Sequence, residues 1–354
     1  MIIVRTPLRV SFFGGGTDHP TWFRQYGPGA VLSTSIDQYV YITIRPLPPI
    51  FDFKYRVVWS RVEQCNTVDE IQHPVVREVL RHFAPDGAGG YEVVYHADLP
   101  ARSGLGSSSA FTVAALHAMF RYRDQGSGKM RLAREAIRVE QELLREPVGS
   151  QDQTAVAFGG LNRIDFKADG SLLIDPVDLG RRRKGELDSR LMMFFTGFTR
   201  DAGGIERTKI SSFKDRIAEM TRLYEMVDRG CKILENPFAS LDDFGALLHE
   251  GWQYKRALSS AVSSGPIDAL YDAALQSGAL GGKLLGAGGG GFLLFFVPPD
   301  RQEAVKQTLA GLGVGATHVP MHMEEEGSTV VLHRPDLTMN YDRSTDASRQ
   351  LTAV

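Results

Sequence analysis

The chain has 354 residues, a formal net charge of −2 and a hydrophobic content of 43%. This length is enough for two domains of ordinary size, and the apolar content can fill a large core. The small net charge argues against a nucleic-acid binder, which would carry a basic excess on one face. One basic run, Arg181 to Lys184, is predicted to be a solvated loop.

Two isolated cysteines, Cys65 and Cys231, favour neither a zinc cluster nor a disulfide framework. The sequence begins directly with a predicted strand, so no signal peptide is visible. No apolar run approaches the length of a membrane span. We therefore expect a protein of the reducing cytoplasm with no membrane partner.

The first half of the chain mixes strands and helices. Alternating, β-branched and aromatic residues predict strands at Ile2–Phe13, Tyr39–Ile44 and Tyr91–Tyr95. Residues 107–122 are apolar on nearly all sides, which predicts a buried helix. An amphipathic helix is predicted from Met130 to Leu144.

The second half follows a polar stretch, residues 167–185, which glycine breakers mark as the connection between two halves. The expected order is a buried strand, two long helices, strand–glycine loop–strand, a helix and two short strands. Their predicted places are 191–195, 213–235, 239–258, 283–297, 302–312, 318–322 and 329–333. This order fits an α+β sandwich.

The strongest local signal joins the third strand to the buried helix. It reads Ser103-Gly104-Leu105-Gly106-Ser107-Ser108-Ser109. Glycines allow a tight turn and close approach to a ligand, and the helix that follows points its free N–H groups and positive dipole end back into the loop. This arrangement is typical of phosphate binding. An ordinary serine-capped helix after a glycine turn is the alternative.

The common nucleotide motifs do not explain this segment. No Gly-x-x-x-x-Gly-Lys-Ser/Thr is present. Residues 286–291 match Gly-x-Gly-x-x-Gly, but a strand at 292–297 follows where a dinucleotide fold needs a helix. We therefore reject the dinucleotide interpretation.

Two further glycine loops lie between apolar strand residues, at positions 5–18 and 282–291. Either one alone could be a hairpin turn. Together with the serine loop they make three segments without bulky side chains at strand ends, which suggests a single cleft.

These three segments, in this order, resemble the three motifs of the galactokinase–homoserine kinase–mevalonate kinase–phosphomevalonate kinase (GHMP) superfamily. The resemblance implies an α+β fold with two domains. These are a ribosomal S5-like domain over residues 1–185 and a ferredoxin-like domain over 186–354, with ATP and substrate between them.

Within the superfamily the sequence is most similar to the kinases of D-glycero-D-manno-heptose 7-phosphate. The segments that carry this likeness are 14–18, 146–153, 158–162 and 283–292. Gly15 and Gly16 stand where galactokinase-like members carry Glu and His. The absence of the Glu and His side chains argues against galactose as the substrate and leaves room for a longer sugar substituent.

The resemblance also implies roles for individual residues. Asp152 is the expected base or orienting carboxylate, with an N-cap as its alternative role, and Arg9 is expected to pair with it unless it is a surface arginine. ATP is the phosphoryl donor, bound by residues 103–109. Ser108 and Glu140 are the expected Mg²⁺ ligands, although Glu135 and Glu142 lie on the same predicted helix.

The expected substrate is a small phosphosugar. The residues expected to contact it are Gly15, Gly16, Thr17, Asp18, Gly288, Gly289 and Arg200. Arg207 and Lys209 are further candidates for its phosphate, unless these cations merely face solvent. Another sugar 1-kinase, such as an L-fucokinase-like enzyme, and a catalytically inactive nucleotide-binding relative remain as alternatives. The oligomeric state is open, with a homodimer as one expectation.

Overall fold

The computed structural model describes residues 1–84, 89–198, 202–259, 261–312 and 316–334. Within these ranges the strands are β1 Ile2–Phe13, β2 Gly29–Leu47, β3 Tyr55–Val58, β4 Val62–Cys65, β5 Gly90–Ala97, β6 Leu161–Phe166, β7 Leu172–Pro176, β8 Leu191–Phe195, β9 Gly281–Leu284, β10 Phe292–Phe296, β11 Thr317–Val319, β12 Met323–Glu324 and β13 Thr329–His333.

The helices are α1 Pro20–Gln25, α2 Pro74–Phe83, α3 Ser107–Tyr122, α4 Lys129–Arg138, α5 Gln151–Phe158, α6 Gly180–Asp188, α7 Ala202–Ser212, α8 Ile217–Glu235, α9 Asp242–Leu258, α10 Gly265–Gln276 and α11 Gln302–Gly311. A π-helical turn, Val139–Leu143, continues α4, and short 3₁₀ turns lie at Val68–Glu70, Phe213–Asp215 and Pro299–Arg301.

The larger sheet is built around β1 and β2. Its main path is β13-β1-β2-β5-β3-β4, with β6 and β12 also paired to β2 and β7 paired to β6. Helix α3 packs on β1 and β2 and is buried along nearly all of its length. The predicted buried helix is thus confirmed. Its burial follows from apolar residues that surround the helix axis instead of forming one stripe.

The smaller sheet has the strand order β11-β8-β10-β9. Numbered within this sheet, the order is 4-1-3-2, with helices after the first and third strands, which is the order of a ferredoxin-like βαββαβ unit. The expectation of a mixed α+β fold with a ferredoxin-like second part is confirmed.

The basic run is helical, so the loop predicted for it is wrong, although Arg181 and Arg182 are exposed. Residues 181–184 lie in α6, and β7 lies within the predicted connection between the two halves. The guanidinium of Arg183 donates to the main-chain carbonyls of Leu234 at 2.6 Å, Ile233 at 2.7 Å and Ala239 at 3.0 Å. It therefore caps the last carbonyls of α8, a contact between distant segments that a local charge pattern cannot reveal.

The last strands return to the first sheet. In β13, His333 pairs with Ile2, and in β12, Met323 pairs with Ile36. The division of the chain after residue 185 stays a prediction, to which the structure adds that residues 323–333 complete the larger sheet. No helix in the described ranges is long and apolar enough to cross a bilayer.

Candidate active site

The serine loop leads directly into α3. Gly106 precedes the helix with a left-handed φ of 74°, and Ser107 is its first residue. The opening N–H groups of a helix have no carbonyl one turn earlier to accept them. The side chain of Ser108 is exposed at this end, whereas Ser107 and Ser109 are buried. A helix start that reaches the surface at Ser108, with its opening N–H donors and positive dipole end directed out of the helix, is the geometry that holds phosphate.

The third glycine loop packs backbone to backbone against the serine loop. A Cβ on Gly286 would lie 2.5 Å from the Cα of Gly104, and one on Gly104 would lie 2.6 Å from the carbonyl oxygen of Leu285. Buried Lys255 donates to the carbonyls of Leu284 at 2.6 Å and Gly286 at 2.7 Å. Two of the three glycine loops are therefore in direct contact, as the sequence suggested.

We expect Gly286→Ala to separate these loops. The added Cβ meets main-chain atoms that cannot move aside, and φ is +65° at this position. The variant should lose about 1–3 kcal/mol of stability and show a raised KM for ATP. Thermal unfolding and ATP kinetics measure both. Gly311→Ala is the matched control, because its Cβ would meet nothing within 4 Å. An unchanged KM for ATP in Gly286→Ala would contradict this account.

A bidentate ion pair joins Arg9 and Asp152. Arg9 Nε donates to Asp152 Oδ1 at 2.8 Å and Arg9 Nη2 donates to Oδ2 at 2.7 Å, while Nη1 reaches the carbonyl of Gly104 at 2.7 Å. Arg9 is buried, so it is not a surface arginine, whereas 27% of the Asp152 side chain is exposed. The bidentate fork fixes the carboxylate and leaves one side of it open.

The Arg9–Asp152 pair lies against Gly106 of the serine loop. A Cβ on Gly106 would come within 3.1 Å of Arg9 Cγ and 3.4 Å of Asp152 Oδ2. The N-cap position of α5 belongs to Ser150, and Asp152 lies in the first turn. The N-cap alternative for Asp152 is therefore wrong, and its carboxylate is directed to the loop.

The first glycine loop is held by its own polar residues. Fully buried Thr17 donates to the carbonyls of Gly14 at 2.7 Å and Ala30 at 2.8 Å. Asp18 accepts from the main-chain N–H of Gly16 at 2.8 Å and of Gln151 at 3.3 Å. These contacts tie the loop to the start of α5. Direct contact of Thr17 and Asp18 with a sugar stays a prediction.

Glu140 lies on the π-helical turn, where the predicted continuous helix is interrupted. Its Oε2 accepts from Ser109 Oγ at 2.9 Å and from Gln153 Nε2 at 2.5 Å. Its Oε1 is buried and has no partner among the described residues. Burial raises the pKa of this carboxyl to about 7. Glu142 is exposed and Glu135 pairs with Arg138, so Glu140 is the buried acid of this segment.

Comparison with protein families gives one match in each half of the chain. The GHMP kinase N-terminal domain matches residues 71–160, and the GHMP kinase C-terminal domain matches residues 235–314. The chain belongs to the GHMP kinases. It is accordingly a phosphotransferase that uses ATP.

Individual relatives cover most of this GHMP kinase. A Campylobacter jejuni protein named D-glycero-alpha-D-manno-heptose 7-phosphate kinase is 29% identical over 85% of this chain and 91% of its own. The L-fucokinase/L-fucose-1-P guanylyltransferase of Bacteroides fragilis is 28% identical over 85% of this chain but 35% of its own. A crystal structure titled as a D-glycero-D-manno-heptose 1-phosphate kinase from Bacteriodes thetaiotaomicron has a TM-score of 0.77 and 23% identity, covering 94% of this chain and all of its own.

The carboxylate of Glu140 and the hydroxyls of the serine loop fit a magnesium ion. Mg²⁺ prefers carboxylate and hydroxyl oxygens and keeps several waters or phosphate oxygens as ligands. Glu140 Oε1, which has no partner within the described part of the chain, provides such an oxygen beside the serine loop. The structure pairs Glu140 with Ser109, so the role of Ser108 as a metal ligand stays a prediction. Among the described residues no group of three or more His, Cys, Asp and Glu forms a protein-only metal cage.

The structure describes only some of the other residues that were expected to contact the sugar or its phosphate. Gly288 and Gly289 pack on the backbone of Val262, and the Gly289 N–H donates to its carbonyl at 2.9 Å. Arg200 and the side chain of Lys209 lie outside the described residues. Arg207 is exposed on α7. The role of Lys255 could not be predicted from the sequence, because a single lysine in a helix carries no signal of the loop whose carbonyls it binds.

Proposed function

We propose that this GHMP kinase transfers the γ-phosphoryl group of ATP to the anomeric hydroxyl of D-glycero-D-manno-heptose 7-phosphate, giving the 1,7-bisphosphate. The observation that carries the chemical part is the Arg9–Asp152 pair beside Gly106. A carboxylate with an open side lies there at the place where an acceptor hydroxyl and a loop-bound phosphate would meet.

Each group has a defined task in this proposal. The serine loop and the start of α3 hold the triphosphate by main-chain donors. Asp152 orients the sugar hydroxyl and takes its proton as the oxygen–phosphorus bond forms and the bond to ADP breaks. Arg9 fixes Asp152 and places a positive charge near the transferred group. Mg²⁺, held by Glu140 and a loop serine, would neutralise charge on the phosphate oxygens.

The choice of sugar rests on the relatives and on the first glycine loop. The Campylobacter jejuni relative is named for heptose 7-phosphate. A Cβ on Gly15 would meet no atom closer than 3.8 Å, so the backbone here is not crowded at the position where galactokinase-like members carry glutamate. A glycine at this position leaves the volume of a side chain to the acceptor, which suits one with a longer exocyclic arm. Arg200 and Arg207 remain candidates for its phosphate.

A different sugar 1-kinase is the second candidate, and the likeness to the Bacteroides fragilis fucokinase favours it specifically. That candidate requires a neutral sugar without a terminal phosphate. An inactive nucleotide-binding relative fits less well, because Arg9, Asp152, Glu140 and the serine loop are all present and mutually arranged.

The substrate assignment predicts a ranking of sugars. Two charge-assisted contacts to a phosphate, at about 1.5–3 kcal/mol each, favour heptose 7-phosphate over free heptose by roughly two orders of magnitude or more in kcat/KM. The measurement compares heptose 7-phosphate, free heptose, mannose 6-phosphate, fucose and galactose. Higher kcat/KM with free fucose or galactose would overturn the heptose assignment and leave the kinase assignment standing.

A further inference from the structure

The space above Gly15 is bordered by two polar side chains. An ideal Cβ on Gly15 would have only two atoms within 4 Å in the described chain, Gln151 Nε2 and Ser11 Oγ, each at 3.8 Å. Gly15 itself is partly exposed. A ligand atom lying several tenths of an ångström closer to these two polar atoms than the Cβ position would be within hydrogen-bond distance of them.

Gln151 stands next to the reacting carboxylate. It is the first residue of α5 and the chain neighbour of Asp152. Its main-chain N–H donates to Asp18, so the backbone of the residue is fixed. Its side-chain Oε1 is buried and has no hydrogen-bond partner in the described residues. A buried amide oxygen without a partner is destabilising, which makes the position notable.

Ser11 approaches the same space from the sheet. Arg9 and Ser11 are two residues apart on β1, so their side chains lie on the same face of the strand. Ser11 is 5% exposed, and its Oγ is also without a partner within the part of the chain that the structure describes. Ser11 Oγ and the amide of Gln151 therefore both border the Gly15 position, one from each of the elements that carry Arg9 and Asp152, and the other amide atom, Gln151 Oε1, has no partner within the described residues.

We propose that Gln151, assisted by Ser11, is the residue that reads the hydroxyls of the acceptor sugar over Gly15. An amide and a hydroxyl each offer a donor and an acceptor and carry no charge. That chemistry matches a neutral polyol hydroxyl and not a phosphate, which would be left to cations. The assignment rests on the sugar-kinase part of the proposed function and adds the specificity residue.

Gly15 also contributes to the proposed recognition of the sugar, because it has no side chain. A side chain there would fill the gap and displace the sugar from Gln151. The amide thus reaches across to the acceptor in place of the acidic side chain that galactokinase-like members carry on the loop. Specificity of this kind penalises analogues that lack the contacted hydroxyl, because the buried amide is then left unpaired.

Gln151→Met tests the assignment while nearly preserving the side-chain volume. We expect the KM for the preferred sugar to rise about tenfold, with the KM for ATP unchanged. Wild type should lose about tenfold in kcat/KM on one of a set of mono-deoxy analogues, and Gln151→Met should not distinguish that analogue from the parent sugar. Ser11→Ala should give a smaller change in the same direction.

Two controls separate recognition from folding. Gln307→Met makes the same change on exposed α11, and Ser277→Ala removes a serine hydroxyl at the end of α10, far along the chain from β1 and α5. Both should keep wild-type constants. Thermal unfolding of each variant shows whether it is folded. A Gln151→Met protein whose KM for ATP rises as much as that for sugar would overturn the assignment.

The outcomes also separate the two proposals. If wild type prefers heptose 7-phosphate and Gln151→Met keeps its KM within twofold, the Gln151 assignment is wrong and the proposed function stands. If wild type prefers another sugar and Gln151→Met raises the KM for that sugar, the heptose substrate is wrong and the Gln151 assignment stands. If wild type phosphorylates none of the sugars, both are overturned.

Discussion

Asp152→Asn should lower kcat by roughly 10²-fold or more, the usual scale for loss of a general base, with little change in the KM for ATP. An amide cannot take the hydroxyl proton. It also presents an NH₂ group to one of the two guanidinium nitrogens that now donate to the carboxylate, so the Arg9 fork loses one hydrogen bond. Steady-state kinetics at saturating ATP and sugar measure the effect.

The pair should behave as one unit in a double-mutant cycle. Arg9→Lys keeps the positive charge but loses the planar fork. The double variant Arg9→Lys/Asp152→Asn should therefore be little slower than Asp152→Asn alone. Asp175→Asn, an exposed aspartate on β7, serves as the matched control with unchanged kinetics. An Asp152→Asn enzyme that keeps more than half of its kcat would remove Asp152 from the mechanism.

Much of the local structure could be predicted because local chemistry determines it. The start of α3 at Ser107 was expected from the glycine–serine boundary, and the structure begins the helix there. Backbone freedom at Gly104 and Gly106 and the absence of side chains across three loops pointed to one cleft. The contact of Gly104 with Gly286 and of Gly106 with the Arg9–Asp152 pair confirms that part of the prediction.

The rest depends on contacts between distant segments, which leave no period or motif in the sequence. The neighbours of Arg183 in the sequence are basic and favour a solvated run. The contacts of Arg183 could not be predicted, because its acceptors are carbonyls some fifty residues away. The return of β13 to β1 was hidden for the same reason. The alternation of β13 predicts a strand but not the sheet that it joins.

The π-helical turn at Glu140 shows a limit of another kind. An amphipathic pattern predicted one helix to Leu144, and the regular α-helix ends at Arg138. Single π-turns inside helices are often found at functional sites, where one extra residue changes the direction of a side chain. Here the turn directs Glu140 to Ser109 and Gln153, a placement that periodicity alone could not distinguish from that of Glu135 or Glu142.

Burial of Glu140 creates a pH-dependent weakness in the metal-free protein. The folded-state pKa is about 7, above the ordinary value of 4.5, because desolvation disfavours the charged form. The stability associated with the neutral acid is therefore complete below about pH 4.5 and is lost as the pH rises through about 7. At pH 8 the folded protein must hold a buried carboxylate, and Mg²⁺ would offset that charge.

Glu140→Gln should consequently stabilise the metal-free protein at pH 8 by on the order of 1–3 kcal/mol and abolish Mg²⁺-dependent activity. Glutamine can keep an oxygen for Ser109 and Gln153 and is neutral at every pH in this range. Denaturant unfolding in EDTA at pH 5 and pH 8 measures the difference, which should nearly vanish at pH 5. Glu142→Gln, exposed on the same turn, is the control. Equal stability of wild type and Glu140→Gln at pH 8 would show that Glu140 does not destabilise the metal-free protein, and full Mg²⁺-dependent activity of Glu140→Gln would show that Glu140 is not the metal ligand.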